Sequence, residues 1–444
     1  MADNPAAKFG SMRGKTPEEA KFFWTGGPVE VAPRTWFASQ FSGCTAFETD
    51  EGLVLVDTGT RQFAPVIAAM LRQKTQAPVH TAVYTHGHID HAYGLDAFLL
   101  PGRTRPRVIA HRAMPARFAR YAATAQHNAA LNARQFGGTV AAQSGEAFQA
   151  FAAPPIPPDT LYDDRLSITV GGVAFELRHC RGETDDHTWV WCPERGVICP
   201  GDLFIWAVPN DGNPQKVQRY PWDRAKGLRE MAGCAPQALC PGHGGPVIGD
   251  GAKIVRMLTE TAQFLEDLTS RTLAAMEAGS PPHVDIVTGI ELPVSDSPWL
   301  QPVYDDTEFL VRNVIRYYGG WWSGRPSELK PAPRAELARE ITRLCGGALS
   351  LAERAQALAD KGEMRLACHL ADFALEASPQ DPAVQAKVAA IYEARAGRET
   401  SLMTINIFNS AAALRESGTP LCVRMPYSRH SDGLKAPQFV FDRA

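Results

Sequence analysis

Three imidazoles and a carboxylate fall within six residues, His86 to His91, of the stretch Tyr84-Thr85-His86-Gly87-His88-Ile89-Asp90-His91-Ala92-Tyr93-Gly94. Imidazole nitrogen and carboxylate oxygen are what Zn²⁺ takes as ligands, at roughly 2.0–2.2 Å. The cluster leaves a short apolar run, Ala82-Val83-Tyr84, that reads as a buried strand. It runs on into the helical spacing of Leu95, Phe98, Leu99 and Leu100. Strand before and helix after is the context that separates a metal motif from a polar turn that happens to hold histidines. Two of these side chains can face one ion and two its neighbour, so the stretch reads as a two-metal site.

Two ions need more than four ligands, and the others must come from strand ends on the same side of the sheet. Glu183, in Arg181-Gly182-Glu183-Thr184, follows a strand ending at Cys180. Asp202, in Pro200-Gly201-Asp202, follows the strand Val197–Cys199 and has two oxygens with which to bridge two cations. His243, in Cys240-Pro241-Gly242-His243-Gly244-Gly245, follows a short strand at 238–240. Each stands beside glycine, which lets the backbone turn sharply toward a ligand. Asp185, Asp186 and His187 are close enough to Glu183 to be the reaching group in its place. His187 is also the spare imidazole for a supporting or proton-transfer role. The remaining histidines (80, 111, 127, 179, 283, 369 and 430) read as surface or core residues. A zinc pair about 3.5–4 Å apart lowers the pKa of bridging water and clamps an anionic oxygen. That is hydrolytic rather than redox chemistry, because zinc has no accessible second oxidation state. The ligands alone do not choose among lactams, thioesters, phosphoesters and sulfate esters.

Strands at Thr35–Phe41, Thr45–Thr49 and Leu53–Val56, the last ending in Asp57-Thr58-Gly59, precede a helix over Arg61–Lys74. A strand at Arg107–His111 leads to a helix over Pro115–Gln135 that stops at Gly137-Gly138. Residues 139–160 suit a covering loop. Hairpins follow about Gly171-Gly172 and across Pro193–Gly196, then an amphipathic helix marked by Ile254, Leu258, Leu265 and Leu268. Residues 1–28 read as an arm, 29–280 as an α/β domain with helices over sheet faces, and 281–304 as a Pro-rich linker. From 305 to 419 the pattern is all-α, with helices at Leu351–Asp360, Glu363–Ala377 and Pro382–Ala396. Asp381 as N-cap before Pro382 makes a well-formed helix start. Residues 420–444 form a tail.

The chain of 444 residues is 45% apolar and 21% charged, an ordinary soluble composition. A formal charge of −3 gives no surface for nucleic acid. No apolar run of about eighteen residues is present to span a membrane. The polar residues 1–28 lack the apolar core of a signal peptide. Nine scattered cysteines without a C-x-x-C pair suit reduced thiols and a cytoplasmic location.

The order H-x-H-x-D-H, G-E-T, G-D, P-G-H-G resembles the metallo-β-lactamase superfamily. Glu183 stands where most members have histidine, and Asp202 follows nineteen residues later, which resembles the alkylsulfatase branch. The resemblance implies an αββα sandwich followed by an all-α domain, with two Zn²⁺ per chain. One ion would take His86, His88 and Glu183. The other would take Asp90, His91 and His243, with Asp202 and a nucleophilic hydroxide between them. Asp57 would orient a ligand imidazole.

The stretch Phe309–Pro326 adds an anion-binding candidate. Acids at 305–308 suit the start of a helix that Gly319-Gly320 ends, and arginine offers a planar fork of donors for an oxyanion. By composition Arg312 is a solvated helix residue. The stretch resembles the alkylsulfatase dimerisation domain, however, whose arginine and the tyrosine six residues later grip the sulfate. Arg312 and Tyr318 match that spacing, and Gly320, Trp321, Gly324 and Pro326 keep its G-W-x-x-G-x-P pattern. The likeness covers residues 30 to about 410 and implies a homodimeric hydrolase of small organic sulfates.

Three departures temper the substrate. The chain leaves no room for the family's sterol-carrier-like C-terminal domain. Residues 203–213 lack the usual histidines, and the family's sulfate-contacting asparagine has only Gln126 or Asn128 as counterpart. A short, branched or cyclic sulfate held by Phe204, Trp206 and Trp222 fits as well as a long-chain one. Rival readings are a dizinc hydrolase of another ester (phosphoester, lactone or thioester) and a helical interaction protein with a vestigial metal domain.

Overall fold

The computed structural model describes residues 19–102, 104–136, 151, 155–279 and 285–412. Strands β1 (Gly26–Ala32), β2 (Thr35–Ser39), β3 (Gly43–Thr49), β4 (Gly52–Val56), β5 (Val79–Val83), β6 (Arg107–His111) and β7 (Thr160–Tyr162) form one sheet in sequence order. Strands β8 (Arg165–Val170), β9 (Val173–His179), β10 (Thr188–Cys192), β11 (Val197–Ile205), β12 (Ala238–His243) and β13 (Val247–Ile248) form the second. The sequence alternates sides as a strand must. Phe37, Phe47, Val54, Val56 and Val83 point inward, to a core shared with Ile168, Phe175, Leu177, Val190 and Val197. Leu53, Leu55, Ala82 and Val108 point outward, to a second core with Ile67, Leu71, Phe98 and Phe118.

Helices α1 (Ala64–Arg72), α2 (Ile89–Ala92) and α3 (Met114–Ala123) belong to the stretches that join the strands of the first sheet, and α4 (Ala125–Gln135) follows. Helices α5 (Pro221–Gly233) and α6 (Gly251–Glu277) pack together beside β11 and β12, and α6 buries the expected Ile254, Leu258, Leu265 and Leu268. The result is an αββα sandwich.

The described residues divide into two compact units. One takes in residues within 1–119, 153–325 and 400–403, which hold the sandwich and α7 (Thr307–Tyr318). The other takes in residues within 120–152, 326–399 and 404–444. Its helices α8 (Arg334–Leu344), α9 (Ala348–Asp360), α10 (Met364–Ala377) and α11 (Pro382–Ala396) enclose a small-residue core of Ala355, Ala367, Ala371, Ala374, Val388 and Ile391. Asp381 caps α11 by accepting from the Ala383 and Val384 N–H groups, as its place before Pro382 leads one to expect.

Three expectations are revised. Gly26 and Gly27, assigned to an arm, already pair as β1. The helix over 115–135 breaks at Thr124, whose carbonyl and hydroxyl both accept from Asn128 Nδ2 (3.0 and 2.8 Å). Trp299, Leu300 and Val303 of the linker are buried. The compact units divide after Arg325, so α7, the first long helix of the expected all-α region, packs with the sandwich, against α6. The helix stop at Gly137-Gly138, most of the covering loop and the tail from 420 lie outside the described residues. Among those residues no helix is long and apolar enough to cross a membrane.

Candidate metal centre

Two parallel strand pairs decide where the ligands meet. β4 pairs parallel with β5, and β11 with β12, so within each pair the carboxyl ends share an edge. Ligands in such folds gather outside those ends. β5 delivers Thr85 to His91 and β4 delivers Asp57, which leaves the strand at φ 60° and faces Thr85. β11 carries Asp202, β12 ends on His243, and the β9–β10 connection carries Glu183. Glycine serves both space and turning here. A Cβ on Gly242 would lie 2.0 Å from Asp202 Oδ1, and one on Gly182 would lie 2.4 Å from Leu203 Cδ2. Of the four neighbouring glycines Gly201 and Gly244 have positive φ, 53° and 95°.

The imidazoles are each turned by a partner at the far nitrogen. Asp57 Oδ2 takes His91 Nδ1 at 2.8 Å, and the Phe41 carbonyl accepts from His243 Nδ1 at 2.7 Å. Thr85 gives its own proton to Asp57 (2.7 Å), so at 3.0 Å its oxygen accepts from His86 Nδ1. The Nε2 atoms of His86, His91 and His243 therefore face the site, as metal-ligating histidines require. His88 presents Nδ1, 2.8 Å from His86 Nε2 and 3.5 Å from Glu183 Oε1.

Asp202 Oδ1 lies 3.3 Å from His91 Nε2, and its Oδ2 lies 3.4 Å from His243 and 3.8 Å from His86. Asp90 Oδ2 lies 3.5 Å from His91 Nε2 and 3.4 Å from His243 Nε2. Two ligands of one tetrahedral zinc are separated by about 3.3 Å, so this set suits a shared ion. His86, His88 and Asp202 form one potential ion-holding group, and Asp90, His91 and His243 another.

Charge and hydrogen bonding both point to cations. Buried polar atoms are normally partnered, yet His91 Nε2, Glu183 Oε2 and Asp202 Oδ1 have no hydrogen-bond partner. Burial pushes His86 and His88 well down, which favours the neutral, ligating form. Burial also opposes charge on His91 and His243, but the facing carboxylates win. Asp202, Asp90 and Asp57 hold His91 well above its usual value, and Asp202 and Asp90 raise His243 to about 10. The same pairing, against burial, holds Asp202 and Asp90 far below the usual carboxylate range. Acids so concentrated call for positive charge, and imidazole nitrogen with carboxylate oxygen is a donor set that fits divalent metal.

Several expected residues lie elsewhere. Phe204 and Trp206 are fully buried, and Trp206 donates to the Gly245 carbonyl (2.7 Å) under the Lys21 ammonium. β11 runs on through Phe204 to Ile205, and both rings are packed inside the protein. Trp222 is 37% exposed at the start of α5. His187 is buried, accepts from the Asp202 N–H through Nε2 (3.0 Å) and stacks on His86. That geometry supports the ligands instead of reaching a substrate. Arg312 is exposed on α7, and Tyr318, 47% exposed, packs edge-on against Tyr317. Asn128 belongs to the other unit, where it bonds back to Thr124.

Other residues at the centre were not anticipated. Arg219 and Asn210 both reach Glu183 Oε1, each at 2.6 Å. Buried Arg224 pairs with Asp211 (3.0 Å) and donates to the carbonyls of Asp202 and Leu203. Asp186, another candidate for the Glu183 position, instead joins the Gly87 N–H to Arg117 (both 2.9 Å). Half-buried Lys216 is held down to about 8 by burial and Arg219, against Glu183 and Asp90. The signal available was the polar run Pro209–Asn213 so soon after Asp202, which has no pattern of its own.

Residues 41–243 match the metallo-beta-lactamase superfamily, and residues 283–418 match the alkyl sulfatase dimerisation family. The chain is 25% identical over 388 residues to a linear primary-alkylsulfatase of Pseudomonas sp. (strain ATCC 19151), covering 81% of this chain and 70% of that one. It is 25% identical over 423 residues to an (R)-specific secondary-alkylsulfatase of Pseudomonas sp., covering 89% of this chain and 63% of that one. The solved structure of a double mutant of a sec-alkyl sulfatase superposes with a TM-score of 0.80 at 21% identity, over 92% of this chain and 70% of that one. This chain thus spans about two thirds of the length of those relatives. The chain thus joins a segment similar to the metallo-beta-lactamase superfamily to one similar to the alkyl sulfatase dimerisation family, and its curated relatives over most of that length are named alkylsulfatases.

Proposed function

We propose that this protein is a metal-dependent hydrolase of small organic sulfate esters, a cytoplasmic homodimer with two Zn²⁺ per chain. The observation that carries this reading is Asp202, whose carboxylate lies 3.8 Å from His86 of one donor group and 3.3 and 3.4 Å from His91 and His243 of the other. His86, His88 and Glu183 would hold one ion, Asp90, His91 and His243 the second, and Asp202 both. Such a pair supplies an activated water at neutral pH and positive charge for the ester oxygens. Asp57 and the Phe41 carbonyl keep two imidazoles aimed, and Arg224 fixes the backbone of Asp202. Sulfate is favoured over other esters by relatives that are alkylsulfatases and by a match that continues into the dimerisation domain. Arg312 and Tyr318 are the proposed sulfate grip, and Trp222 the remaining aromatic contact. The dimer rests on the same match and on the exposed leucines 344, 349 and 366 of the helical unit.

The zinc-loaded protein should turn over alkyl or aryl sulfates faster than phosphodiesters or lactones. Preference for either of the latter would leave hydrolysis standing and remove the sulfate assignment. Arg312→Ala should lower kcat/KM on a sulfate by about 10- to 100-fold, the loss of a charged hydrogen bond, with zinc content unchanged. Less than one zinc per chain in purified protein would favour the vestigial reading.

A further inference from the structure

We propose that Arg219 is a positioning residue for Glu183. Together with Asn210 it occupies Oε1 and leaves Oε2 as the one oxygen of that carboxylate open to a cation. The inference rests on the reading of Glu183 as a metal ligand and goes beyond it, to what decides how that ligand binds.

A carboxylate oxygen has two lone-pair sites. Both sites on Glu183 Oε1, the oxygen that lies 3.5 Å from His88 Nδ1, are taken by Asn210 Nδ2 and Arg219 Nη1, each at 2.6 Å. Oε2 is buried and has no hydrogen-bond partner. A carboxylate free to rotate would offer either oxygen, or both, to an ion. With one oxygen clamped, the other is presented singly and at a fixed angle. The clamp is itself rigid. Arg219 and Glu183 side chains are each 3% exposed, and Arg219 Nη1 also donates to the Asn210 carbonyl, which ties its two donors together.

The clamp is held from outside the sandwich strands. Asn313 of α7 accepts from the Arg219 N–H (3.4 Å) and donates to the Arg219 carbonyl (3.0 Å), which fixes that residue's backbone on both sides. Asp305 accepts from the Gly212 N–H at 2.7 Å. The backbone approaches so closely there that a Cβ on Gly212 would lie 2.4 Å from the Leu310 nitrogen. The loop from β11 to α5, which carries Asn210 and Arg219, is thus fastened at two points by residues 305–313. That segment falls within the part of the chain that matches the dimerisation family, not the lactamase match. The inference therefore extends the metal centre into the second family region, since α7 determines the orientation of one ligand.

Zinc titration against a chromophoric chelator reads each site separately. Arg219→Met should weaken one of the two zinc ions by about 10- to 100-fold, the range found for partners of ligating groups, and leave the other within about threefold. Arg219→Lys should recover part of the loss, and Asn313→Ala should shift the same ion in the same direction. In a Glu183→Ala background, Arg219→Met should change nothing further. Two ions of ordinary affinity in Arg219→Met, with one lost in Glu183→Ala, would overturn the inference and spare the ligand reading. Two ions retained in Glu183→Ala would overturn both. Should Arg219→Met fail to fold, Asn313→Ala decides alone, and unchanged zinc affinity in that variant would sink the proposal.

Discussion

Asp57 shows how much a single side chain fixes at this centre. It is 3% exposed, sits at φ 60°, and accepts from the Thr85 N–H (2.7 Å), the Thr85 hydroxyl (2.7 Å) and His91 Nδ1 (2.8 Å). Burial pushes its carboxyl up, and His91 and Thr85 pull it back. One carboxylate therefore sets the tautomer of His91 directly and of His86 through Thr85. Asp57→Asn keeps the shape but puts an amide N–H against one of these partners. Zinc affinity at the Asp90, His91 and His243 position should fall by about 10- to 100-fold, read by competition with a chelator. Unchanged affinity would mean that the imidazole is aimed by something else.

At the scale of elements, buried Asp305 stands just before the Asp306 cap of α7 and ties the 209–220 loop to the helix start. Burial pushes Asp305 up to about 8, while the Gly212 and Asp306 N–H groups and Arg219 hold it back. The folded chain then keeps a proton that the unfolded chain, with an aspartate pKa near ~3.9, has already released. Stability from this group is full below about pH 4 and is lost as pH rises through 8. Melting temperature of the native sequence should therefore fall by a few degrees between pH 5 and pH 8. Asp305→Asn should remove this share of the fall while still accepting from Gly212. An identical pH profile in the two proteins would refute it.

The same scale shows what could be read locally. The hairpin at Gly171-Gly172, the inner stripe of α6 and the cap at Asp381 follow from period, turn chemistry and capping, all of which act within a few residues. The full burial of Phe204 and Trp206 was not legible, for the opposite reason. As aromatics just past Asp202 they look like pocket lining, but β11 continues through Phe204 to Ile205, and burial of both rings depends on packing that the local sequence does not record.

At the scale of the whole molecule, the chain gathers buried Asp57, Glu183 and Asp202 and partly buried Asp90 within one small region, with His91 and His243 drawn into their field. Charge of one sign so concentrated costs stability unless cations offset it. Bound zinc at a hundred times its dissociation constant adds about 2.7 kcal/mol per site. Chelation should therefore lower the melting temperature by about 5 °C or more in calorimetry, and zinc should restore it. No shift on chelation would contradict a cation-dependent fold.

By itself the sequence determined the chemistry available. H-x-H-x-D-H lies in one run, and Glu183, Asp202 and His243 each follow a readable strand, so ligand types and their order along the chain were legible before any fold. What tertiary structure alone decided is how those groups are aimed. Which nitrogen of each histidine faces inward depends on Asp57, Thr85 and Phe41, and the free oxygen of Glu183 on Arg219, Asn210 and Asn313. These partners reach across as many as two hundred residues of chain, from Phe41 to His243. Hydrogen bonds of that range leave no local period or spacing to read, because they exist only once parallel strand ends and a helix have been brought to the same edge.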